Sequence, residues 1–341
     1  MKAFLISTIV SFLITYFITP RVINFLGAAN IVSIDLHKQN KPRLPAGGGI
    51  CISSGILTGI LCYVGVQTFS SVSPYGSQNN PIQLLAVISS ILMVTLSGLL
   101  DDLNVRSKVV QTKDGINVKI GFPQWVKPLL TLPAAVPLMV IAAGETEMAI
   151  PFIGEVNFGI WYPLLIIPIG FVGASNMVNM LGGFNGLETG MGIIYTLSLG
   201  VYAWTYGRNQ ASILLLTACV ALLAFLKYNW YPAKILPGDS LTYLLGSLVA
   251  ASVIVGNMER AGIVVMIPFV IEFFLKARSR FKASCLGKLG ADGKLTPLYG
   301  GKIYSWTHII MNLKRFRERD VTVALILIQV FFATLPFLRI I

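Results

Sequence analysis

The chain of 341 residues is 55% hydrophobic and only 12% charged, with a mean hydropathy of +0.75. Soluble globular proteins carry roughly 25% charged residues, so a soluble two-domain enzyme of this length is excluded. The net charge of +12, from 26 Lys+Arg against 14 Asp+Glu, fits a membrane protein that gathers cations on cytoplasmic loops better than a nucleic-acid binder, and no nucleic-acid partner is expected.

Stretches of about 20 apolar residues cross a bilayer as helices. Ten are predicted, at about 3–26, 47–68, 82–100, 124–143, 159–178, 187–206, 210–227, 240–256, 261–277 and 321–340. The expected fold is an all-α integral membrane protein of about ten transmembrane helices, a single domain over 1–341. The first stretch is apolar from Ala3 to Thr19, longer than the ~7–15-residue core of a signal peptide, and is read as an uncleaved span. In the loop that follows, His37, Lys38, Lys41 and Arg43 precede Gly47-Gly48-Gly49. A helix N-terminus beside lysines can hold an anion, although inner loops are also basic for no catalytic reason. The third span ends on Asp101-Asp102, followed by Arg106 and Lys108. Adjacent carboxylates repel each other and gain nothing from a helix C-terminus; the pair suits a divalent metal or a proton-accepting role better than a plain water boundary. Segment 144–158, with Ile150, Phe152 and Val156 around Gly154, reads as a short hairpin.

The fifth span runs into Asn176-Met177-Val178-Asn179-Met180-Leu181-Gly182-Gly183-Phe184-Asn185-Gly186-Leu187-Glu188. Asn176 and Asn179 share a helix face, and glycines admit close approach of backbone to a ligand. Amides in lipid also tie helices together, but three asparagines around a Gly-Gly turn favour a site. Before the eighth span, the stretch from Asn229 to Ser240 ends in Pro237-Gly238-Asp239. Asp239 reads either as an N-cap or as a hard-cation ligand, since Mg²⁺ takes carboxylate, amide and phosphate oxygens. The largest loop, about 278–320, is basic and punctuated by glycine.

Ten crossings leave both termini on one side. One set of loops holds 21 Lys and Arg and the other 4, so the first set, with every cluster above, is expected in the cytoplasm and the termini outside. Ionisable residues cost about 2.5–3.5 kcal/mol each at a span centre and are functional candidates by default. With two histidines, His37 and His308, and no G-x-x-x-x-G-K-[ST], G-x-S-x-G or H-E-x-x-H run, histidine-based triads and zinc sites are nearly excluded. Cys51, Cys62, Cys219 and Cys285 lie far apart and suggest neither zinc nor disulfides. A secondary transporter is the alternative class, but its sites lie near the bilayer midplane and its halves repeat.

The runs DLHKQNKPRLPAGGG, LLDD, NMVNMLGGFNGLE and NWYPAKILPGDS, in that order, resemble the polyprenyl-phosphate N-acetylhexosamine-1-phosphate transferases, from the first loop to the last span. Gly182, where bacterial cell-wall members typically have Asp, places the likeness nearer the dolichyl-phosphate branch, and the compact length nearer its archaeal-type members. The resemblance implies ten helices with outward termini in the plasma membrane. It implies transfer of a sugar-1-phosphate, GlcNAc-1-phosphate first, from a UDP-N-acetylhexosamine to polyprenyl or dolichyl phosphate, releasing UMP. Mg²⁺ is the implied cofactor, with Mn²⁺ as an alternative, and a homodimer is compatible with it. By the same resemblance Asn179 and Asp239 ligate the metal, Asp101, Asp102 and Lys108 form the catalytic set, and Asn185 and the Gly183 backbone meet the uracil. Lys38, Asn176 and Glu188 complete the candidate substrate-binding residues. A His-rich motif of bacterial members is represented in the last loop by His308 alone, which leaves the donor sugar the least constrained feature.

Overall fold

The structure, a computed structural model, describes residues 2–70, 81–103, 109–111, 117–119, 122–150 and 154–338. In chain order the helices are α1 (Lys2–Ala28), α2 (Gly49–Ser70), α3 (Pro81–Leu103), α4 (Val126–Thr131), α5 (Val136–Val140), α6 (Ile167–Asn179), α7 (Leu187–Thr205), α8 (Asn209–Asn229), α9 (Gly238–Gly256), α10 (Glu259–Val265), α11 (Ile267–Ala277), α12 (Trp306–Leu313) and α13 (Glu318–Thr334). Among the described residues short strands form four antiparallel pairs: β1 (Val32–Ile34) with β2 (Arg43–Pro45), β3 (Val109–Gln111) with β4 (Asn117–Lys119), β5 (Glu147–Ile150) with β6 (Gly154–Asn157), and β7 (Gly287–Leu289) with β8 (Leu295–Pro297). The third pair is the hairpin expected at 144–158, with Ala149 opposite Glu155.

Among the described residues, seven helices are long and apolar enough to cross a membrane: Lys2–Ala28, Gly49–Ser70, Pro81–Leu103, Tyr162–Asn179, Asn209–Asn229, Gly238–Gly256 and Glu318–Leu338. The other three predicted spans are helical as well, but α4–α5 and α10–α11 are broken, and α7 carries Glu188 and three glycines. Proline sets both breaks, because it lacks the amide that continues a helix. Pro133 stands in the tightened turn between α4 and α5, Pro137 is the second residue of α5, and Pro268 follows the break at Met266. In lipid a freed carbonyl needs another donor. Gln329 of α13 supplies it, its Nε2 donating to Val265 O at 2.9 Å.

Helix α1 shows which solvent surrounds the bundle. Its buried side is Ser7, Ser11, Thr15 and Thr19, four residues apart, while Leu5, Ile9, Phe12 and Phe17 face outward. Small residues at membrane-helix interfaces let backbones approach closely. Ser7 Oγ accordingly donates to Gly59 O of α2 at 2.8 Å, and Ser11 Oγ to Thr217 O of α8 at 3.1 Å. A Cβ at Gly55 would strike Thr15 Oγ1 and lie 2.9 Å from Ser11 O. Gly55→Val is therefore expected to destabilise the α1–α2 contact by roughly 1–3 kcal/mol, seen as a lower thermal midpoint in detergent.

Helix α9 lies at the centre, packed against α2, α3, α6 and α8, with Leu241, Tyr243, Leu244, Leu245 and Leu248 fully buried. Its N-terminus stands where α3 and α6 finish, and a cluster of charged and polar side chains gathers there.

Candidate active site

Asp101 and Asp102 end α3, Asn179 ends α6, and Asp239 is the second residue of α9. Packing of α9 between α3 and α6 brings these four together from positions up to 138 residues apart. Asp102 is buried and faces the open end of α9. Its Oδ1 accepts from Asp239 N–H at 2.7 Å and its Oδ2 from Ser240 N–H at 3.1 Å. The first amides of a helix have no partner within it, so a carboxylate of one span caps the next. Gly238 makes room for this contact: its φ is +72°, and a Cβ there would collide with Asp102.

Asp101 accepts from Phe122 N–H at 2.8 Å and from Tyr243 Oη–H at 3.3 Å. Its Oδ2 also pairs with Lys127 Nζ at 2.8 Å, and the same ammonium reaches Asp239 Oδ2 at 3.1 Å. Three carboxylates and one ammonium thus share a small, mostly buried volume. Asn179 joins through Thr242, whose Oγ1 donates to Asn179 Oδ1 at 2.8 Å and approaches Asp239 O at 3.2 Å. Lys127 is the member that sequence reasoning missed. It counted there only among the basic residues of an inner loop, although a cation at the very start of a proline-broken span was the available signal.

A second group is built around the turn between α6 and α7. Gly183, at φ +89°, donates its N–H to Glu188 Oε1 at 2.7 Å, so Glu188 fastens the turn from inside. Asn185 is buried; its Nδ2 donates to Asp35 Oδ2 at 3.1 Å, and its Oδ1 accepts from Ala233 N–H at 2.9 Å and Lys38 Nζ at 3.0 Å. Lys38 is further paired with Asp35, at 3.1 Å, and with Glu318. The triple glycine is likewise engaged within the fold, since Gly47 and Gly48 direct their amides at Leu236 O, at 3.4 and 3.3 Å. Asn229, buried, takes a bond from Thr189 Oγ1 at 2.7 Å and gives one to Ile235 O at 2.9 Å, which holds the loop that leads into α9.

The remaining candidates lie apart from both groups. Asn176 Nδ2 donates to Thr131 Oγ1 at 3.1 Å and to Val172 O at 2.8 Å, the helix-tying arrangement. Lys108 lies outside the described residues. His308 is fully buried in the scaffold of the last loop, with Nδ1 accepting from Tyr304 N–H at 3.2 Å. That scaffold reaches the glycine turn through Cys285, whose carbonyl accepts from Thr307 Oγ1 and whose thiol donates to Gly182 O at 2.8 Å. Burial pushes the Cys285 thiol up, which makes it a poor nucleophile.

Burial, helped by the Lys276 ammonium, pushes His308 down to about 4, so the ring is neutral at pH 7. An unfolded histidine titrates near ~6.5, and between these values the unfolded chain binds the extra proton. Stability tied to His308 is therefore complete above that range and is lost as pH falls towards 4, by up to about 1.4 kcal/mol per pH unit. His308→Gln should flatten this part of the pH–stability curve, measured by thermal unfolding in detergent.

A profile of glycosyl transferase family 4 matches residues 84–257, a stretch that takes in Asp101, Asp102, Lys127, Asn179 and Asp239. A Saccharolobus solfataricus protein, provisionally named UDP-N-acetylglucosamine–dolichyl-phosphate N-acetylglucosaminephosphotransferase, is 38% identical over 98% of this chain and 95% of its own length. A Dictyostelium discoideum protein bearing that name without qualification is 25% identical over 79% of this chain and 70% of its own. The phospho-N-acetylmuramoyl-pentapeptide-transferase of Halalkalibacterium halodurans is 29% identical over 80% of each. With the profile spanning half of the sequence and a relative aligned along nearly all of it, the chain belongs to glycosyl transferase family 4.

Proposed function

We propose that this protein transfers N-acetylglucosamine-1-phosphate from UDP-N-acetylglucosamine to dolichyl phosphate, releasing UMP. The observation that carries the reading is the meeting of Asp101, Asp102, Lys127, Asn179 and Asp239 where α3 and α6 end and α9 begins. A polar group at helix ends suits a reaction whose acceptor tail needs lipid while its phosphate and the nucleotide need water. A transporter site would sit near mid-span. The names of the Saccharolobus and Dictyostelium relatives support the donor and acceptor. The excess of Lys and Arg on one set of loops supports a reaction on the cytoplasmic face, the ten apolar stretches support ten crossings with both termini outside, and the resemblance to the family supports the plasma membrane.

Magnesium, with manganese as the alternative, suits the donor set. Among the described residues no three His, Cys, Asp or Glu side chains form a ready cage, and Mg²⁺ is commonly held by one or two carboxylates together with substrate phosphates. Asp239 and Asn179 would hold it, since they offer a carboxylate and an amide oxygen, and Asn179 is held to the first turn of α9, which carries Asp239, by Thr242. When bound, the ion neutralises charge on the donor diphosphate and on departing UMP. The protein's own groups align and balance charge, which is most of what phosphoryl transfer asks of a protein. Asp102 fixes the first turn of α9 and thereby the direction of Asp239. Lys127 keeps Asp101 and Asp239 close without leaving either charge alone. The acceptor phosphate oxygen is already anionic near neutral pH, so it attacks the β-phosphorus directly, without a protein base.

The test is UMP release by the detergent-solubilised protein given UDP-N-acetylglucosamine, a polyprenyl phosphate and Mg²⁺, with UDP-N-acetylgalactosamine and UDP-MurNAc-pentapeptide as competing donors. Release that requires both acceptor and metal is the expected result. Release independent of the acceptor overturns the reading, and preference for another donor overturns the sugar assignment.

A further inference from the structure

Glu318 opens α13 and takes no part in the chemistry above, yet it is buried against charged and polar groups of the first loop and of the glycine turn. Its Oε1 accepts from Asn185 N–H at 2.8 Å and its Oε2 pairs with Lys38. One turn further along α13, Thr322 Oγ1 donates to Asn185 O at 3.3 Å. His37 Nε2 accepts from Gly287 N–H at 3.2 Å, which leaves the ring proton on Nδ1, 3.8 Å from Glu318 Oε1. The first loop, the glycine turn, the loop before α9 and the β7–β8 hairpin are thus all fastened, directly or through one side chain, to the start of α13. An open cleft of about 340 Å³, lined by His37, Gln39, Tyr231, Asp292, Arg317 and Glu318 among others, adjoins this junction.

These contacts converge on Asn185. Its N–H, carbonyl, amide nitrogen and amide oxygen are all taken up by Glu318, Thr322, Asp35, Lys38 and Ala233. The turn it belongs to, with φ of +89° at Gly183 and +76° at Gly186, lies between two helices and lacks a helical ladder of its own, so such side-chain bonds set its shape. Charge-assisted bonds are about twice as strong as neutral ones, and buried ion pairs are best attested as devices that fix one arrangement among several. The geometry points to Glu318 as a positioning residue for the nucleotide half of the donor: it holds the 183–186 turn in its binding shape and ties the last loop to it. This rests on the transferase reading and on the uracil contact that the family resemblance implies for Gly183 and Asn185.

The experiment uses the full-length protein in detergent with Glu318→Gln. The KM for the UDP-sugar and the inhibition constant for UMP are expected to rise together by about tenfold, the size of one lost charge-assisted bond. The acceptor KM should stay unchanged and kcat should stay within about threefold. Glu318→Asp, which keeps the charge but shortens its reach, should fall between wild type and Glu318→Gln. A lowered kcat and thermal midpoint with both nucleotide constants unmoved would mean a merely structural role and overturns the proposal. Should Glu318→Gln not fold, Asp35→Asn removes the second carboxylate charge on Lys38 and the one that accepts from Asn185 Nδ2: a roughly threefold rise in the UMP constant supports the latch, and no change overturns it. Stabilisation of the protein by UMP, read as a thermal shift, compares variants without turnover. A wild type that releases no UMP therefore defeats the transferase reading and leaves the latch separately measurable.

Discussion

Asp239→Ala is expected to lower acceptor-dependent UMP release by about a thousandfold, the scale of losing a preorganised charge partner at a reacting phosphate, while the membrane protein stays folded. The fold survives because the substitution orphans nothing buried. Lys127 keeps its 2.8 Å pair with Asp101, and the backbone N–H of residue 239 still reaches Asp102. What the helix loses is one acidic group in its first turn, worth about 0.3–1 kcal/mol. Asp239→Asn refines the test by keeping size and one oxygen while removing the charge. It should weaken the apparent affinity for Mg²⁺, shifting the metal titration to higher concentration, before it removes turnover. Wild-type metal dependence in either variant, with turnover intact, would show that Asp239 is no ligand and only the acid of a helix N-terminus.

The apolar spans were legible because a bilayer imposes one length and one composition on whatever crosses it. Breaks in two of them were written as prolines at 133, 137 and 268, but their repair was not: that Gln329 serves the carbonyl of Val265 depends on how α13 packs against α10. The same division holds at the site. Asp101, Asp102, Asn179 and Asp239 stood out because acids and amides are costly at membrane depth. Lys127 did not, because a lysine on a positive-inside loop needs no explanation until its two carboxylates are seen beside it. Asn176 and Asn179 look equivalent on one helix face, yet one ties α6 to Thr131 while the other meets α9 through Thr242. Only the neighbouring helices distinguish them. Glu318 was hidden for a similar reason. A charged residue ahead of a span normally marks the water boundary, and its burial against Lys38 joins positions 280 residues apart.

Replacing Asp102 should separate two roles that the adjacent acids share by sequence. Asp102→Ala is expected to reduce turnover by at least about a hundredfold and also to lower the thermal midpoint, because it leaves two first-turn amides of α9 without acceptors, at about 1–3 kcal/mol each. Asp102→Asn retains an oxygen for one of those amides, so it should recover much of the stability and less of the activity. Asp101→Asn should behave oppositely. An amide oxygen can still accept from Phe122 N–H, while the ion pair with Lys127 is gone, so turnover should fall with little change in melting. Thermal unfolding beside UMP release, on all three proteins, reads both quantities. If Asp102→Ala melts like wild type, the capping contacts at 2.7 and 3.1 Å are not what seats α9, and the direction of Asp239 must be set by Lys127 instead. If Asp101→Asn turns over like wild type, the carboxylate that matters at this end of α3 is Asp102, which acts through the helix it caps.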